Sequence, residues 1–113
     1  MLDELNTQKI FDNFKKKKIL VVGDTMLDTY FKGEVTRINV EAPVPIVKVD
    51  HEFHSLGGAG NVAANIVALG GNADLFAHIG KDHSGEIIKN LLDENKLGSF
   101  LQEDENTIQK IRI

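Results

Sequence analysis

The sequence has no cysteine, only two prolines and no excess of positive charge. Without cysteine, the chain can form neither a disulfide nor a thiolate metal site. The prolines, Pro43 and Pro45, flank a single valine, and their position predicts a turn or an edge strand at that point. The formal net charge is −4 and the basic run at residues 15–18 is short, which argues against a nucleic-acid partner.

Long apolar runs are also absent, since none approaches the roughly 20 residues that a membrane-spanning helix needs. The first residues, MLDELNTQKIFDNF, mix acidic and apolar side chains, whereas a signal peptide begins with basic residues followed by an apolar block. We therefore expect a cytoplasmic protein that does not bind a membrane.

The sequence does contain apolar residues spaced as in both helices and strands. At 113 residues and 42% hydrophobic, it fits one globular unit covering residues 1–113. We predict helices that begin with Thr7 and Ser84 as N-caps, and a third over residues 61–69 that ends at Gly70. Residues 19–22 and 73–79 predict buried strands, each closed by a glycine.

Two further segments predict an appendage to this α/β core. Residues 29–50 alternate apolar and polar side chains, as in a half-exposed antiparallel pair, and residues 107–113 also suggest a strand. The predicted fold class is α/β, with the start of a parallel sheet, flanking helices and a small antiparallel lid at about 30–50 and 107–113. So thin a sheet leads us to expect part of a larger domain.

A glycine-rich segment opens the helix predicted at residues 61–69. Gly57 and Gly58 would let backbone approach a ligand closely, and Asn61 can both donate and accept hydrogen bonds, as a sugar requires. The helix N-terminus adds free N–H donors. A tight turn that merely introduces the helix is the structural alternative.

The same segment also fits the spacing of a dinucleotide-binding loop, through Gly58, Gly60 and Ala63, with Asp82 as the ribose carboxylate. That motif needs a buried strand running directly into its first glycine. The preceding residues, HEFHSL, are polar and predict an exposed connection instead.

Asp28 follows the first predicted strand, where ligands bind in open α/β sheets. Its carboxylate could accept two sugar hydroxyls or simply cap a turn. The histidines give weaker indications of function. We expect His51 and His54 to be solvated loop residues, since no further metal ligands accompany them, and His78 to lie in the core.

Taken together, these residues resemble the ribokinase-like (PfkB) carbohydrate kinase family. The N-terminal signature of that family fixes two glycines, small residues, an asparagine and later glycines. The sequence satisfies it at Gly57, Gly58, Ala59, Asn61, Ala63, Gly70 and Gly80. Asp28 stands where the family places a carboxylate for the sugar hydroxyls.

Within the family, the sequence is most similar to the heptose-7-phosphate kinases. The segments VVGD and MLD within residues 21–28 resemble the N-terminal sequence of those kinases. The segments RI, from Arg37, and EAPVPIVKV, from Glu41, resemble a later stretch of the same kinases. Asn39-Val40 departs from the usual Ser-Pro. Lys110 and Arg112 fall where those kinases carry basic residues, which implies contacts to the substrate's phosphate.

The resemblance implies phosphoryl transfer from ATP, with Mg²⁺, to a heptose 7-phosphate in the biosynthesis of nucleotide-heptose, a lipopolysaccharide precursor. It assigns the substrate site to Asp28, Gly57, Gly58 and Asn61, with Arg37, Glu41, Lys110 and Arg112 in lid or phosphate contacts. It covers only about the first third of a kinase. The family's Gly-Ala-Gly-Asp anion hole with its catalytic base does not occur here, so we expect no catalytic residue, no bound ATP, Mg²⁺ or other metal, and no turnover.

The resemblance also implies a homodimer formed through the lid. Two alternatives stay open: another sugar or nucleoside kinase of the family, and a non-catalytic module that binds sugar or dimerises.

Overall fold

The fold is built from two three-stranded sheets and three helices, seen in a computed structural model that describes residues 3–113. The helices are α1 (Glu4–Phe14), α2 (Ala59–Ala68) and α3 (His83–Glu94). The strands are β1 (Lys18–Val22), β2 (Thr25–Ile38), β3 (Pro45–Gly58), β4 (Asn72–Ile79), β5 (Gly98–Glu103) and β6 (Gln109–Arg112). The predicted α/β class is confirmed.

The first sheet is parallel, in the order β1-β4-β5, and its core lies on one face. Along β4 the burial alternates: Leu75 and Ile79 are fully buried and pack with Ile88 and Leu92 of α3. The prediction that β4 is buried throughout is therefore only half right, because Phe76 and His78 on its other face are exposed. Strand β5, which carries only two apolar side chains, was not predicted.

Strand β1 is where the sequence prediction fails most clearly. Its apolar run predicts burial on both faces, yet Leu20 is 58% and Val22 65% exposed. Within residues 3–113, β1 is an edge strand that pairs only with β4, and no helix covers its outer face.

The second sheet, in the order β3-β2-β6, contains the segments predicted to form a lid. Strands β2 and β3 are antiparallel as expected, but β6 runs parallel to β2, so the sheet is mixed rather than antiparallel. Beyond β6, the two 14-residue strands continue as an arm of two strands, with register shifts at 32/33 and between 35 and 37. The molecule accordingly measures 62 × 38 × 20 Å.

Both predicted N-caps are wrong by a few residues. Helix α1 is capped by Asp3, whose Oδ1 accepts from the N–H of Asn6, and Thr7 lies inside the first turn. Helix α3 is capped by Asp82, and Ser84 is buried within the helix. Asp and Ser are equally good caps, so backbone geometry decides between neighbours. Across the described residues, no helix has the length and apolar character to cross a bilayer.

Candidate functional site

The candidate site forms where the two sheets meet, at the loop between β1 and β2. The backbone N–H of Ala59 donates to the carbonyl of Asp24 at 2.8 Å. The hydroxyl of Thr25, itself buried, donates to the carbonyl of Gly57 at 3.3 Å. These two bonds hold the glycine-rich segment and the start of β2 together as one surface.

Two glycines of this segment have conformations or contacts that no other residue would tolerate. Gly58 adopts φ +58°, in the left-handed region. A Cβ on Gly57 would lie 2.7 Å from Cγ of Met26 and 3.0 Å from Oδ1 of Asp28. The missing side chain at Gly57 therefore makes the space that the Asp28 carboxylate occupies.

Asp28 carries the most informative atom of the site. Its Oδ1 is buried and, in the described residues, has no hydrogen-bond partner. A buried polar atom without a partner costs about 1–3 kcal/mol, so it requires an explanation. A ligand hydroxyl that donates to this oxygen would supply the bond.

The strand register brings the two predicted cations to the same face as Asp28. Asp28 lies opposite Lys110, and Tyr30 opposite Arg112, on the neighbouring strand β6. The guanidinium carbon of Arg112 lies 5.8 Å from the ring centre of Tyr30. Since directly opposite residues share a face, one surface of the lid joins a carboxylate with two cations.

The same face contains an aromatic pair that the sequence analysis did not assign to the site. The rings of Tyr30 and Phe53 stack at 4.9 Å with an angle of 9°. Ser55, opposite Asp28 on β3, was also missed. Alternation along residues 51–57 would have indicated both, had this segment been predicted as a strand.

The N-terminus of α2 completes this surface. No side chain caps the helix, because the residue at its N-cap position, Gly58, has no side chain. The N–H of Ala59 already donates to the carbonyl of Asp24, but the N–H groups that follow in the first turn have no side-chain cap, and the positive end of the helix dipole lies here. Asn61 is exposed in the first turn, one helical turn from Gly58.

Arg37 and Glu41 are not brought to this site. Arg37 is nine residues beyond Asp28 along β2, which corresponds to about 30 Å. Glu41 lies in the loop that joins β2 to β3, where its N–H donates to the Asn39 side chain. Both therefore occupy the far end of the arm.

The dinucleotide alternative does not survive the geometry. The residues before Gly57 are not the predicted loop but part of β3, an antiparallel lid strand outside the parallel sheet. Asp82, the candidate ribose carboxylate, is instead bonded within the protein. Hydrogen bonds from the Thr107 side chain first, then from the backbone N–H groups of Thr107 and Gly85, lower the pKa of Asp82.

The histidines differ from their predicted settings. His51 and His54 lie in β3 rather than in a loop, and His54 contacts the Thr29 hydroxyl at 3.0 Å. His78 is not in the core: its side chain is 60% exposed and lies 3.1 Å from Asp104, because it points away from the buried face of β4. No group of three potential metal ligands converges within residues 3–113.

The family model for pfkB family carbohydrate kinases matches residues 16–113. Among curated relatives, the Bifunctional protein HldE of Rhodospirillum rubrum is 48% identical over 108 residues, which is 93% of this chain and 22% of the relative. The protein of the same name from Campylobacter curvus is 51% identical over 87 residues, covering 77% of this chain and 19% of the relative. The chain thus spans about a fifth of the length of these relatives.

Solved structures of sugar kinases share the fold. A carbohydrate kinase from Agrobacterium tumefaciens superimposes with a TM-score of 0.67 at 22% identity, over 84% of this chain and 30% of its own. The tetrameric inhibited form of phosphofructokinase-2 from Escherichia coli superimposes with a TM-score of 0.63 at 24% identity, over 83% of this chain and 29% of its own. Fructokinase from Xylella fastidiosa with bound ATP superimposes with a TM-score of 0.61 at 20% identity, over 84% of this chain and 29% of its own.

Proposed function

The chain belongs to the pfkB family of carbohydrate kinases, and on this premise we propose that it forms the sugar-binding part of a heptose 7-phosphate kinase. The complete kinase would transfer phosphate from ATP in the cytoplasm, in the biosynthesis of nucleotide-heptose for lipopolysaccharide. Two findings support this choice of substrate: the relatives named HldE, and the sequence segments that the chain shares with heptose-7-phosphate kinases.

The observation that carries the proposal is the buried Oδ1 of Asp28, which lacks a partner within the described residues. We propose that Asp28 accepts hydrogen bonds from sugar hydroxyls, while Gly57 and Gly58 let the sugar lie against the backbone. Asn61 and the free N–H groups of α2 would donate to the remaining oxygens. Such fixed contacts position the acceptor hydroxyl, which is the larger part of what a kinase does for phosphoryl transfer.

Lys110 and Arg112 would bind the phosphate that the sugar already carries. They lie two residues apart on β6, on the same face as Asp28. An Arg fork and a Lys ammonium are the usual partners of a phosphate group. A site with a carboxylate at one point and two cations beside it fits a sugar phosphate better than a neutral sugar.

We propose a different role for Arg37 and Glu41, because both are distant from Asp28. The outer edge of β3 has no strand partner within residues 3–113. Edges of this kind pair readily with a second chain. We therefore propose that the arm contributes to a homodimer and that Arg37 and Glu41 act in closing the lid between copies.

ATP and Mg²⁺ are the cofactors that we propose for the complete kinase, but the described residues do not fit the nucleotide. Beside Lys81, the clefts along the carboxyl edge of the parallel sheet are lined by four carboxylates, those of Asp24, Asp82, Asp104 and Glu105. Their negative charges would repel the phosphates of a nucleotide. We propose that this chain holds the sugar only and that the chain by itself does not turn over.

The test is a calorimetric titration of the chain with heptose 7-phosphate, beside Asp28→Ala and the control Asp93→Ala on the exposed side of α3. We expect saturable binding that weakens at least tenfold in Asp28→Ala, since a hydrogen bond to a charged group contributes about 1.5–3 kcal/mol. The control should bind like the unaltered chain.

A second arm separates the phosphate from the sugar. Lys110→Gln should weaken binding of heptose 7-phosphate and leave binding of unphosphorylated heptose unchanged. Preference for ribose or fructose would refute the heptose assignment. A folded chain that binds no sugar would refute the sugar-binding role and favour the dimerising module.

A further inference from the structure

A buried threonine ties the segment before β6 to the edge of the parallel sheet. The hydroxyl of Thr107 donates to Oδ1 of Asp82 at 2.6 Å, and its backbone N–H donates to Oδ2 at 2.9 Å. The same hydroxyl accepts from the N–H of Gly80 at 2.9 Å. We call this set of bonds among Gly80, Asp82 and Thr107 the clamp.

The clamp is tightly packed as well as fully bonded. Thr107 is 7% exposed. A Cβ on Gly80 would collide with the Glu105 carbonyl and lie 2.6 Å from the N–H nitrogen of Thr107, so the two segments approach as closely as backbone allows. Asp82 meanwhile caps α3 through the N–H of Gly85. One carboxylate therefore fixes both the helix and the segment that leads to the lid.

The strand that follows has little else to hold it. Strand β6 has four residues, all exposed, and within residues 3–113 it pairs on one edge only, with β2. Short edge strands of this kind open easily, because few buried contacts resist local unfolding. The clamp lies two residues before its first residue, Gln109.

The position of β6 matters because its register decides which side chains face the site. In the present register, Lys110 lies opposite Asp28 and Arg112 opposite Tyr30. A slip of one residue would turn both cations to the other face of the sheet. We propose that Asp82 and Thr107 are positioning residues, which hold β6 in register and so place Lys110 and Arg112 beside Asp28, where their phosphate-binding role rests on the function proposed above.

The test compares Thr107→Val, which removes the hydroxyl at nearly constant shape, with Thr107→Ser, which keeps it. Asp82→Asn is the second variant, because asparagine can still cap α3 but cannot accept from the N–H of Thr107 through its amide nitrogen. The readouts are residue-resolved amide hydrogen exchange in β6 and β4, and the fluorescence of Tyr30. That fluorescence is specific, since the chain has one tyrosine and no tryptophan.

We expect exchange in β6 to become roughly 10- to 100-fold faster in Thr107→Val and Asp82→Asn, as lost bonds in a buried setting predict. Exchange in β4 should stay within a few-fold of the unaltered chain, and Tyr30 fluorescence should change as Arg112 leaves its ring. Thr107→Ser should resemble the unaltered chain. Unchanged exchange in β6, or equal acceleration in β4 and β6, would overturn the proposal.

Ligand binding distinguishes this proposal from the proposed function. If the unaltered chain binds heptose 7-phosphate, Thr107→Val should weaken binding about tenfold or more while Thr107→Ser does not. Equal affinity in both variants would overturn the positioning role. If the unaltered chain does not bind, the proposed substrate is wrong, and the exchange and fluorescence measurements still decide whether the clamp positions β6.

Discussion

Removing the Asp28 carboxylate should make the chain more stable while it weakens the proposed sugar binding. The buried Oδ1 has no partner within the described residues, and a buried oxygen in that state costs about 1–3 kcal/mol. Asp28→Ala removes this cost but also loses packing against Met26 and Gly57, for which we subtract roughly 0.5–1 kcal/mol. We expect the free energy of unfolding to rise by about 1 kcal/mol.

The assay is urea unfolding followed by circular dichroism, beside the control Asp93→Ala, which should stay within about 0.5 kcal/mol of the unaltered chain. In a thermal scan, 1 kcal/mol corresponds to a rise in Tm of roughly 4 °C for a chain of this size. A loss of more than about 1 kcal/mol in Asp28→Ala would refute the reasoning. It would mean that the carboxylate is hydrogen-bonded within the free protein. The unpartnered oxygen would then no longer support Asp28 as an acceptor for sugar hydroxyls.

Three other predictions concern stability. Leu75→Ala, at a site 0% exposed, should cost about 2–5 kcal/mol in urea unfolding, whereas Leu20→Ala, at a site 58% exposed, should cost less than about 1 kcal/mol; similar losses would contradict the one-sided core. Gly58→Ala should cost more than about 2 kcal/mol, because φ +58° with ψ −131° strains a residue with a Cβ and that Cβ would collide with the carbonyl of Asp24; unchanged stability would contradict that conformation. Because Thr107 holds the pKa of Asp82 below its usual value, the stability that Asp82 contributes is complete above the unfolded pKa of about 4 and disappears as the pH falls through the lower folded value. Urea midpoints measured from pH 6 to pH 2 should show this loss, and Asp82→Asn should flatten it.

The sequence predicted well what depends on local patterns. The spacing of apolar residues in α2 and α3 matches the structure within a few residues, and Gly70 ends its helix at φ +94° as expected. The alternation of residues 29–50 identified the antiparallel pair, though β2 begins before residue 29, at Thr25, and β3 continues past residue 50 to Gly58. Asp28, Gly57 and Gly58 do lie close together, but because the start of β2 pairs antiparallel with the end of β3, not because they follow strands of the parallel sheet. That they bind a sugar stays a prediction.

What the sequence could not give depends on contacts between distant segments. An apolar run such as Ile19–Leu20 shows that a strand can be buried, not what covers it, and both residues are largely exposed here. The direction of β6 depends on the path that β5 takes across the sheet, which no pattern records. The pairing of Asp82 with Thr107 spans 25 residues and was invisible for the same reason.

The long arm of β2 and β3 has a consequence for how the protein behaves in solution. The radius of gyration is 18.7 Å, against roughly 13 Å for a compact chain of this length. Friction rises with elongation, so a single copy should diffuse slowly and elute from a sizing column early, like a heavier particle. A dimer formed through the lid is therefore better identified by light scattering, which measures molar mass, than by size exclusion. The elongated monomer alone would already give a high apparent mass by elution volume.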